Sequence, residues 1–428
     1  MIIGNPDANT WKIKMAQGIL QTRRFLPLLA VQFFGAFNDN LFKNALMTLI
    51  AYRMAAQSCL LANIVAGLFI LPFFLFSATA GQLADKYDRA RLTRVLKITE
   101  LALVIFTGIV FFTQNIGLLI LLLFCMGAQS AFFGPIKYAL LPQLLHKHEL
   151  IQGNGYVEGS TYLSIIIGSV LGALLPIPAV VIILLACAVA GYGASIFIPP
   201  APAPRPHLVV NKNILNETYR NIALVRGLPT VWRCILGATW FWMVGALVLT
   251  QLFPLASSVL RVNESVIAFF LILFSIGVGV GTLSCNKILR GEISIRFVPL
   301  SAAGMGVCAF ILHGLINTYA PGADRIGLGA FLTAGGGGIA LTLFIFSVFS
   351  GLYIVPLNAM MQSRAPHDVV ARVIAGNNII NALGMVLVAV SSAALLGLGF
   401  TIAELFLILS VASIFIAVFI SRQRKKYV

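Results

Sequence analysis

The sequence predicts an all-α polytopic membrane protein with twelve transmembrane helices in two pseudo-symmetric six-helix halves. Three observations predict this class. Hydrophobic residues make up 59% of the 428 residues, charged residues only 10%, and mean hydropathy is +0.97, whereas a water-soluble domain of this composition would expose large apolar patches. Twelve apolar stretches have the length of a bilayer span. One long polar segment separates the first six stretches from the last six.

The predicted spans follow one another with short connections, and each is long enough to cross the hydrocarbon layer as a helix. They cover residues 26–50, 60–83, 94–113, 116–141, 152–175, 177–198, 233–257, 264–289, 296–318, 337–361, 371–396 and 400–421.

The predicted organisation has five parts: a cytoplasmic N-terminus 1–25, a first half 26–198, a cytoplasmic linker 199–232, a second half 233–421 and a basic cytoplasmic tail 422–428. The linker opens with PPAPAPRPH, and proline at this density prevents a helix. The basic stretch after it predicts an amphipathic helix on the membrane surface.

An internal repeat supports the two halves. Residues 134–158 and 355–378 share an order of features: a proline late in one span (Pro135, Pro356), a loop with His-acid, and Gly-Asn opening the next span. Each segment joins the fourth span of its half to the fifth. A parallel repeat, with its axis along the membrane normal, has this arrangement.

The net charge of +16 does not indicate nucleic acid, because its placement follows topology. By the twelve-span prediction, 24 of the 29 Lys and Arg fall on one side of the membrane, and Lys97 is counted there with the loop between spans 2 and 3. The positive-inside rule then places both termini in the cytoplasm.

The most informative segment is QFFGAFNDNLFKN, residues 32–44, inside span 1. A charge at bilayer depth costs at least ~2.5–3.5 kcal/mol, so an intramembrane ionisable group indicates a functional site. At about 3.6 residues per turn, Gln32, Asp39, Asn40 and Lys43 share one face. The four-residue spacing of Asp39 and Lys43 predicts an ion pair. That pair would keep Asp39 ionised and make transport independent of protons. One interpretation is that these four residues bind substrate in the lining of a transport pathway, and the other is a structural ion pair alone.

The short turn between spans 2 and 3, GQLADKYDRARLTR, carries the charges of a conformational gate. It resembles the loop 2–3 motif of the major facilitator superfamily, G-x-x-x-D-[RK]-x-G-R-[RK]. Gly81, Asp85, Lys86 and Arg89 match that motif, while Asp88 and Ala90 depart from it. With Arg91, the matching residues are the predicted gate.

Four further segments resemble the bacterial lysophospholipid transporters of that superfamily, which are found free or fused to an acyltransferase/acyl-carrier-protein synthetase. They are FNDN in span 1, PIKYALLP at 135–142, NGYVEGSTYLSIIIGSVLGA at 154–173 and VPLNAMMQ at 355–362. Span 7 lacks the central basic residue of free-standing members, which brings the chain closer to the fused branch.

The resemblance implies a secondary transporter that flips lysophospholipids such as lysophosphatidylethanolamine inward across the bacterial inner membrane for reacylation. It places Asp39, Lys137 and Glu158 in the substrate site, although Lys137 and Glu158 are also compatible with an inner gate. Besides Asp39, the acids considered as proton carriers are Glu158 and Glu404. Polar candidates of the second half are Gln251, Asn358, Asn377 and Asn381.

No nucleotide-binding loop, metal-binding motif or polar catalytic domain is present in the sequence, so no enzyme activity and no cofactor are expected. The six cysteines have no CxxC spacing and predict neither disulfides nor a metal site. We expect a monomer, with an acyltransferase/acyl-carrier-protein synthetase as the possible partner. Two alternatives remain open: a transporter of a small amphipathic solute, such as a drug or siderophore, and a non-transporting receptor or scaffold.

Overall fold

The structure is a computed structural model that describes residues 19–53, 58–211, 213–322 and 325–423. Within these ranges it contains twelve helices of 20 residues or more. They are α1 (Leu26–Arg53), α2 (Ser58–Lys86), α3 (Arg89–Thr113), α4 (Ile116–Leu144), α5 (Leu150–Leu174), α6 (Ile177–Ile196), α7 (Pro229–Pro254), α8 (Glu264–Leu289), α9 (Val298–Thr318), α10 (Gly337–Arg364), α11 (Val370–Gly397) and α12 (Ile402–Gln423).

Each helix overlaps one predicted span, so the predicted all-α class is confirmed. Eleven helices of the described chain are long and apolar enough to cross a membrane. The twelfth is α1, whose Asn, Asp and Lys side chains in residues 38–44 lower its hydropathy. The predicted N-terminal segment and basic tail fall mostly outside the described residues, as do the side chains of Arg53 and Cys59.

The helix ends follow from local chemistry. Helix α3 begins five residues before its predicted start because the Asp88 side chain caps it by accepting from the backbone N–H of Arg91. Helix α7 continues through a π-helical turn, Leu255–Val259. Helix α10 follows a short helix Leu328–Phe331 and a turn in which Gly335 has a φ of +93°, a conformation that glycine adopts without strain.

The packing repeats between the two halves. In the first half α1 packs on α5, α2 on α4, and α3 on α6; in the second half α7 packs on α11, α8 on α10, and α9 on α12. The halves meet along two seams, α2 against α11 and α5 against α8. The predicted pseudo-symmetric arrangement of two six-helix halves is therefore confirmed.

The linker forms the predicted helix over Ile214–Arg226, here called the linker helix, which packs on α2 and α11. The face that it buries carries the polar Glu217, Thr218 and Asn221 and the apolar Val225. Leu215 and Tyr219 are exposed. We call the end of the bundle that carries this helix the linker end.

Candidate functional site

The polar face of α1 lies in the interior of the first half. A hydrogen bond of 2.6 Å joins the Asp39 carboxyl group to the Ser130 hydroxyl on α4. The Lys43 ammonium donates to the Asn40 side chain at 3.1 Å and lies 5.5 Å from the centre of the Phe69 ring on α2. The predicted Asp39–Lys43 ion pair is therefore wrong as a direct contact, because each side chain turns to a different partner.

Other polar groups of α1 fix the helix to its neighbours. The Gln32 amide donates to the Thr161 hydroxyl on α5 at 2.7 Å. The Asn40 amide donates to the backbone carbonyl of Ala36 at 2.8 Å. These two predicted substrate-binding residues thus have partners within the protein, whereas the Lys43 ammonium has two donor hydrogens left for a ligand.

A buried ion pair that the sequence analysis missed lies beside α1. The Lys97 ammonium and the Glu100 carboxylate, both on α3, are 2.5 Å apart and each side chain is 1% exposed. Glu100 also accepts from Asn38 and Gln129. Counting Lys97 with the preceding loop was wrong, because the Asp88 cap starts α3 early enough to bring Lys97 inside the bundle. The signal available in the sequence was a Lys and a Glu three residues apart in an apolar span.

Lys137 and Glu158 lie close to the contact between the halves. The Glu158 carboxylate accepts from the Tyr138 hydroxyl at 2.5 Å and from the Asn358 amide on α10 at 3.1 Å. The Lys137 ammonium lies 4.4 Å from the centre of the Tyr138 ring. Glu158 thus joins α5 to α10 directly. Lys137 contacts the ring of Tyr138, whose hydroxyl donates to Glu158.

The polar candidates of the second half differ in their bonding. The Asn381 amide oxygen accepts from the Thr239 hydroxyl on α7 at 2.8 Å. The side-chain oxygens of Gln251 and Asn377 are buried and accept no hydrogen bond within the described part of the chain. A buried amide oxygen without a donor is ready to accept from a ligand or water.

The predicted gate assembles at the linker end of the α2–α11 seam. Asp85 binds the Arg89 guanidinium at 3.5 Å within its own half and the Arg372 guanidinium on α11 at 2.9 Å. A Cβ on Gly81 would lie 3.0 Å from the Ala375 Cβ, so the glycine permits close contact of the two helices. The sequence analysis missed Arg372, because the only feature in the sequence that marks this residue is its position just after the loop of the internal repeat.

Two members of the predicted gate stand apart from this contact. Lys86 lies 5.6 Å from the centre of the neighbouring Tyr87 ring. Arg91 is exposed, and its backbone N–H is the group that Asp88 caps. Neither side chain bonds the second half in the described structure.

The α5–α8 and α5–α10 contacts close the same end. Asn154 on α5 and Gln362 on α10 exchange two amide hydrogen bonds, at 2.8 and 3.0 Å. A Cβ on Gly155 would lie 2.7 Å from the backbone oxygen of Thr282 on α8. The halves are therefore packed tightly at the linker end.

The linker spans this closed end. The Arg205 backbone N–H donates to the Asp85 carbonyl at 2.8 Å, and the Arg205 guanidinium binds the Asp368 carboxylate in the loop before α11. Asn211 and Gln82 exchange hydrogen bonds between the linker and α2. The linker thus contacts both halves beside the Asp85–Arg372 pair.

Toward the opposite end, the α2–α11 seam opens into an apolar groove of about 280 Å³. A Cβ on Gly67 would meet no atom within 4 Å. Phe69, whose ring the Lys43 ammonium faces, is also on α2 but is not among the residues that line this groove, and it packs against Gly127 of α4. The lining residues are Gly67, Ile70, Leu71, Phe74, Ala382, Leu383 and Val386.

Comparison with known proteins agrees with this architecture. The profile of the Major Facilitator Superfamily matches residues 28–389. The chain is 28% identical over 364 residues to "Lysophospholipid transporter LplT" of Serratia proteamaculans (strain 568), covering 82% of each protein. It is 27% identical over 367 residues to the protein of the same name from Klebsiella pneumoniae (strain 342), covering 82% of this chain and 83% of that protein.

Solved structures share the fold at low identity. The human organic anion transporter MFSD10 superposes with a TM-score of 0.70 at 15% identity, over 92% of this chain and 99% of that one. A bacterial homologue of the iron transporter ferroportin gives 0.69 at 14% identity, over 92% and 98%.

These matches confirm the predicted resemblance to the lysophospholipid transporters, and they confirm that the protein is a membrane transporter and not an enzyme. The match over residues 28–389, together with two six-helix halves that pack by the same pattern, shows that this chain belongs to the Major Facilitator Superfamily.

Proposed function

We propose that this transporter is a flippase for lysophospholipids, such as lysophosphatidylethanolamine, moving them across the bacterial inner membrane for reacylation. The observation that carries the proposal is the apolar groove between α2 and α11, in a protein whose first half holds Asp39 and Lys43 in its interior. A lysophospholipid needs both surfaces at once, because its charged head group carries a single acyl tail.

The head group has partners of both signs in the interior. Lys43 and Lys137 supply cations for the phosphate, and Asp39 supplies a carboxylate for an amine. Asp39 and Glu158 are nearly fully buried, so charge pairing with a ligand is much stronger there than in water. Gln251 and Asn377 contribute acceptors without protein donors from the second half.

The acyl tail has a place that does not require leaving the apolar phase. The groove opens sideways between the halves and is lined by aliphatic and aromatic side chains of α2 and α11. A lipid that slides its head group into the interior through this opening keeps its tail against apolar surface. It thereby avoids exposing the tail to water, which would cost about 0.8 kcal/mol for each methylene group.

The transport cycle follows from the closed linker end. With both termini and the linker in the cytoplasm, as the basic residues predict, the closed end of the present state faces the cytoplasm. Separation of Asp85 from Arg372, and of Asn154 from Gln362, opens the inner side as the halves rock about the interior. Glu158 takes part in the gate in the present state and in the substrate site when the halves separate.

Two alternatives remain candidates. A small amphipathic solute, such as a drug or siderophore, would also use an interior with both charges and an apolar border. A non-transporting receptor would not need the lateral groove, and its gate would not need to alternate between closed and open forms. We favour lysophospholipid because the named relatives are lysophospholipid transporters. The partner that fits is an acyltransferase, which consumes lysophospholipid on the cytoplasmic side, acting with a monomeric transporter.

Purified protein in liposomes tests the proposal. Movement of labelled lysophosphatidylethanolamine between leaflets supports it, with protein-free liposomes as the baseline and Asp39→Asn as the inactive variant. Movement of a soluble amphipathic solute without lysophospholipid would replace it with the first alternative, and movement of neither would favour the receptor.

A further inference from the structure

A chain of hydrogen bonds runs from the buried ion pair of α3 to the carboxylate of Asp39 on α1. At its start, Glu100 accepts from three donors: the Lys97 ammonium at 2.5 Å, the Asn38 amide at 3.1 Å and the Gln129 amide at 3.3 Å. One of these donors is the ammonium of an ion pair, and both oxygens of the buried Glu100 side chain act as acceptors.

Glu100 determines which way the Gln129 amide points. The amide nitrogen of Gln129 lies between two acceptors, the Glu100 carboxylate and the backbone carbonyl of Leu96 at 3.4 Å. Neither acceptor has a hydrogen to give, so the nitrogen must face them. The amide oxygen of Gln129 is therefore directed to the Ser130 hydroxyl, 3.3 Å away.

Ser130 has one hydroxyl hydrogen and two oxygen neighbours. One is the Gln129 amide oxygen and the other is the Asp39 carboxylate at 2.6 Å. If Asp39 is ionised, it takes the hydroxyl hydrogen and the Gln129 oxygen has no donor among the described residues. If Asp39 carries a proton, it donates to Ser130, Ser130 donates to Gln129, and Asp39, Ser130 and Gln129 are all satisfied.

We propose that Glu100 is a positioning residue that, through Gln129 and Ser130, holds Asp39 in its protonated form in this state. The expectation that Lys43 keeps Asp39 ionised is replaced, because the Lys43 ammonium is bound by Asn40 instead.

The charged groups around Asp39 agree with this assignment. Its own helix carries Lys43, α3 brings Lys97 and Glu100, and α4 brings Lys137. The Lys97 charge is already paired with Glu100, and its ammonium is held against α1, 2.6 Å from where a Cβ on Gly35 would lie.

Among the described residues, the remaining neighbours of α1 form no ion pair with Asp39. From α2, Phe69 faces Lys43. From α5, Glu158 is bound to Tyr138 and Asn358. From α6, Cys187 lies near Glu100.

The consequence for transport rests on the proposed function. An ammonium head group binds a carboxylate only after the carboxylate has lost its proton. Binding of lysophosphatidylethanolamine therefore releases the Asp39 proton, and its affinity rises with pH. A lysophospholipid without an amine, such as lysophosphatidylglycerol, has no such dependence.

Infrared spectroscopy of the full-length protein in liposomes tests the protonation directly. The C=O band of a protonated carboxylic acid is assigned to Asp39 by its disappearance in Asp39→Asn. We expect this band at neutral pH in the wild type, and we expect Glu100→Gln to lose it, since the Gln129 amide is then free to turn and give Ser130 a donor. Glu158→Gln, a buried acid outside the chain, is the matched control and keeps the Asp39 band.

Gln129→Leu provides a second variant that leaves the Lys97–Glu100 pair intact, and it too is expected to lose the band. A wild type without an Asp39 band, or a band that survives in both Glu100→Gln and Gln129→Leu, overturns the proposal. Substrate binding is measured separately: wild-type affinity for lysophosphatidylethanolamine is expected to rise about tenfold per pH unit below the Asp39 titration, and Glu100→Gln to remove that slope. If neither the wild type nor any variant binds a lysophospholipid, the proposed function is rejected. The infrared result would still decide whether Asp39 is protonated.

Discussion

The carboxylate of Asp85 on α2 accepts a hydrogen bond of 2.9 Å from the guanidinium of Arg372 on α11. The Asp85 side chain is fully buried, and its other oxygen binds Arg89. One carboxylate therefore joins the two halves while remaining anchored in its own. This geometry gives the predicted gate a contact that separation of the two halves would break.

Replacing Arg372 by Gln is expected to weaken the closed linker end. The charged hydrogen bond to Asp85 contributes about 1.5–3 kcal/mol, so the ratio of closed to open forms should fall roughly ten- to a hundredfold. Thiol labelling reports this ratio, using a cysteine placed at the buried Ala375 in a chain whose six native cysteines are replaced. Labelling should accelerate while lysophospholipid affinity changes little.

Arg91→Gln is the matched control, because Arg91 is a basic residue of the same turn whose side chain is exposed. Its labelling rate should equal that of the parent chain. Equal acceleration in both variants would mean that general charge in the turn, and not the Asp85–Arg372 contact, holds the end closed.

Gly155 and Gly159 lie one turn apart on α5, and we expect opposite effects on transport when each is replaced by alanine. A Cβ at Gly155 would lie 2.7 Å from the backbone oxygen of Thr282, while a Cβ at Gly159 would make ordinary contact with the flexible Leu283 side chain at 3.5 Å. Gly155→Ala should therefore prevent closure and reduce flipping at least tenfold, with Gly159→Ala close to wild type. Similar flipping rates for the two variants would contradict tight α5–α8 packing during the cycle.

The amide pair of Asn154 and Gln362 should couple energetically across the halves. Removing Asn154 takes both of these bonds from the buried Gln362 amide, and removing Gln362 leaves Asn154 with its bond to the Leu150 carbonyl and an amide oxygen that has lost its donor. Either change should cost the closed form about 1–3 kcal/mol. Asn154→Ala and Gln362→Ala together should cost clearly less than the sum of the two single changes. The same thiol-labelling assay supplies the double-mutant cycle, and strict additivity would show that the pair is not formed in the closed state.

The linker contact predicts a specific pH dependence. The hydrogen bond from Arg205 and the attraction of its charge hold the pKa of Asp368 below its usual range. A carboxylate with a lowered folded-state pKa stabilises the fold above its unfolded pKa, and that contribution is lost as pH falls through the folded pKa. Both side chains are substantially exposed, so the contribution is about 0–1 kcal/mol.

Asp368→Asn should consequently lower the thermal unfolding midpoint slightly and by the same amount across the neutral range. The difference from wild type should disappear in acid, below the lowered pKa. A difference that grows on acidification would mean that Asp368 acts through another partner.

The fold was predictable because twelve separate spans each carry their own signal. Hydropathy measures burial in lipid directly, and short charged loops separate the helices, so the span positions agree with the structure within a few residues. The start of α3 was the main displacement. There a single side-chain cap by Asp88 extended the helix through charged residues that hydropathy assigns to a loop.

The site was predictable in its members more than in its contacts. Spacing along α1 placed Asp39 and Lys43 on one face, but spacing says nothing of Ser130 on α4, which competes for Asp39. Arg372 lies 287 residues from Asp85, and only folding of the repeat brings them together. Glu100 was overlooked because its charge is neutralised by a lysine that had been counted in a loop.

The central claim is that the acyl tail travels in the groove between α2 and α11. Gly67→Trp tests it most directly, because a side chain at Gly67 meets no atom within 4 Å and projects into the groove. Ala412→Trp is the control, since Ala412 lines an apolar groove that includes Trp240 and α12 and lies within the second half. The measurement is the rate of labelled lysophosphatidylethanolamine flipping in liposomes. The account predicts at least a tenfold loss for Gly67→Trp and a near wild-type rate for Ala412→Trp; wild-type flipping by a folded Gly67→Trp protein would contradict it.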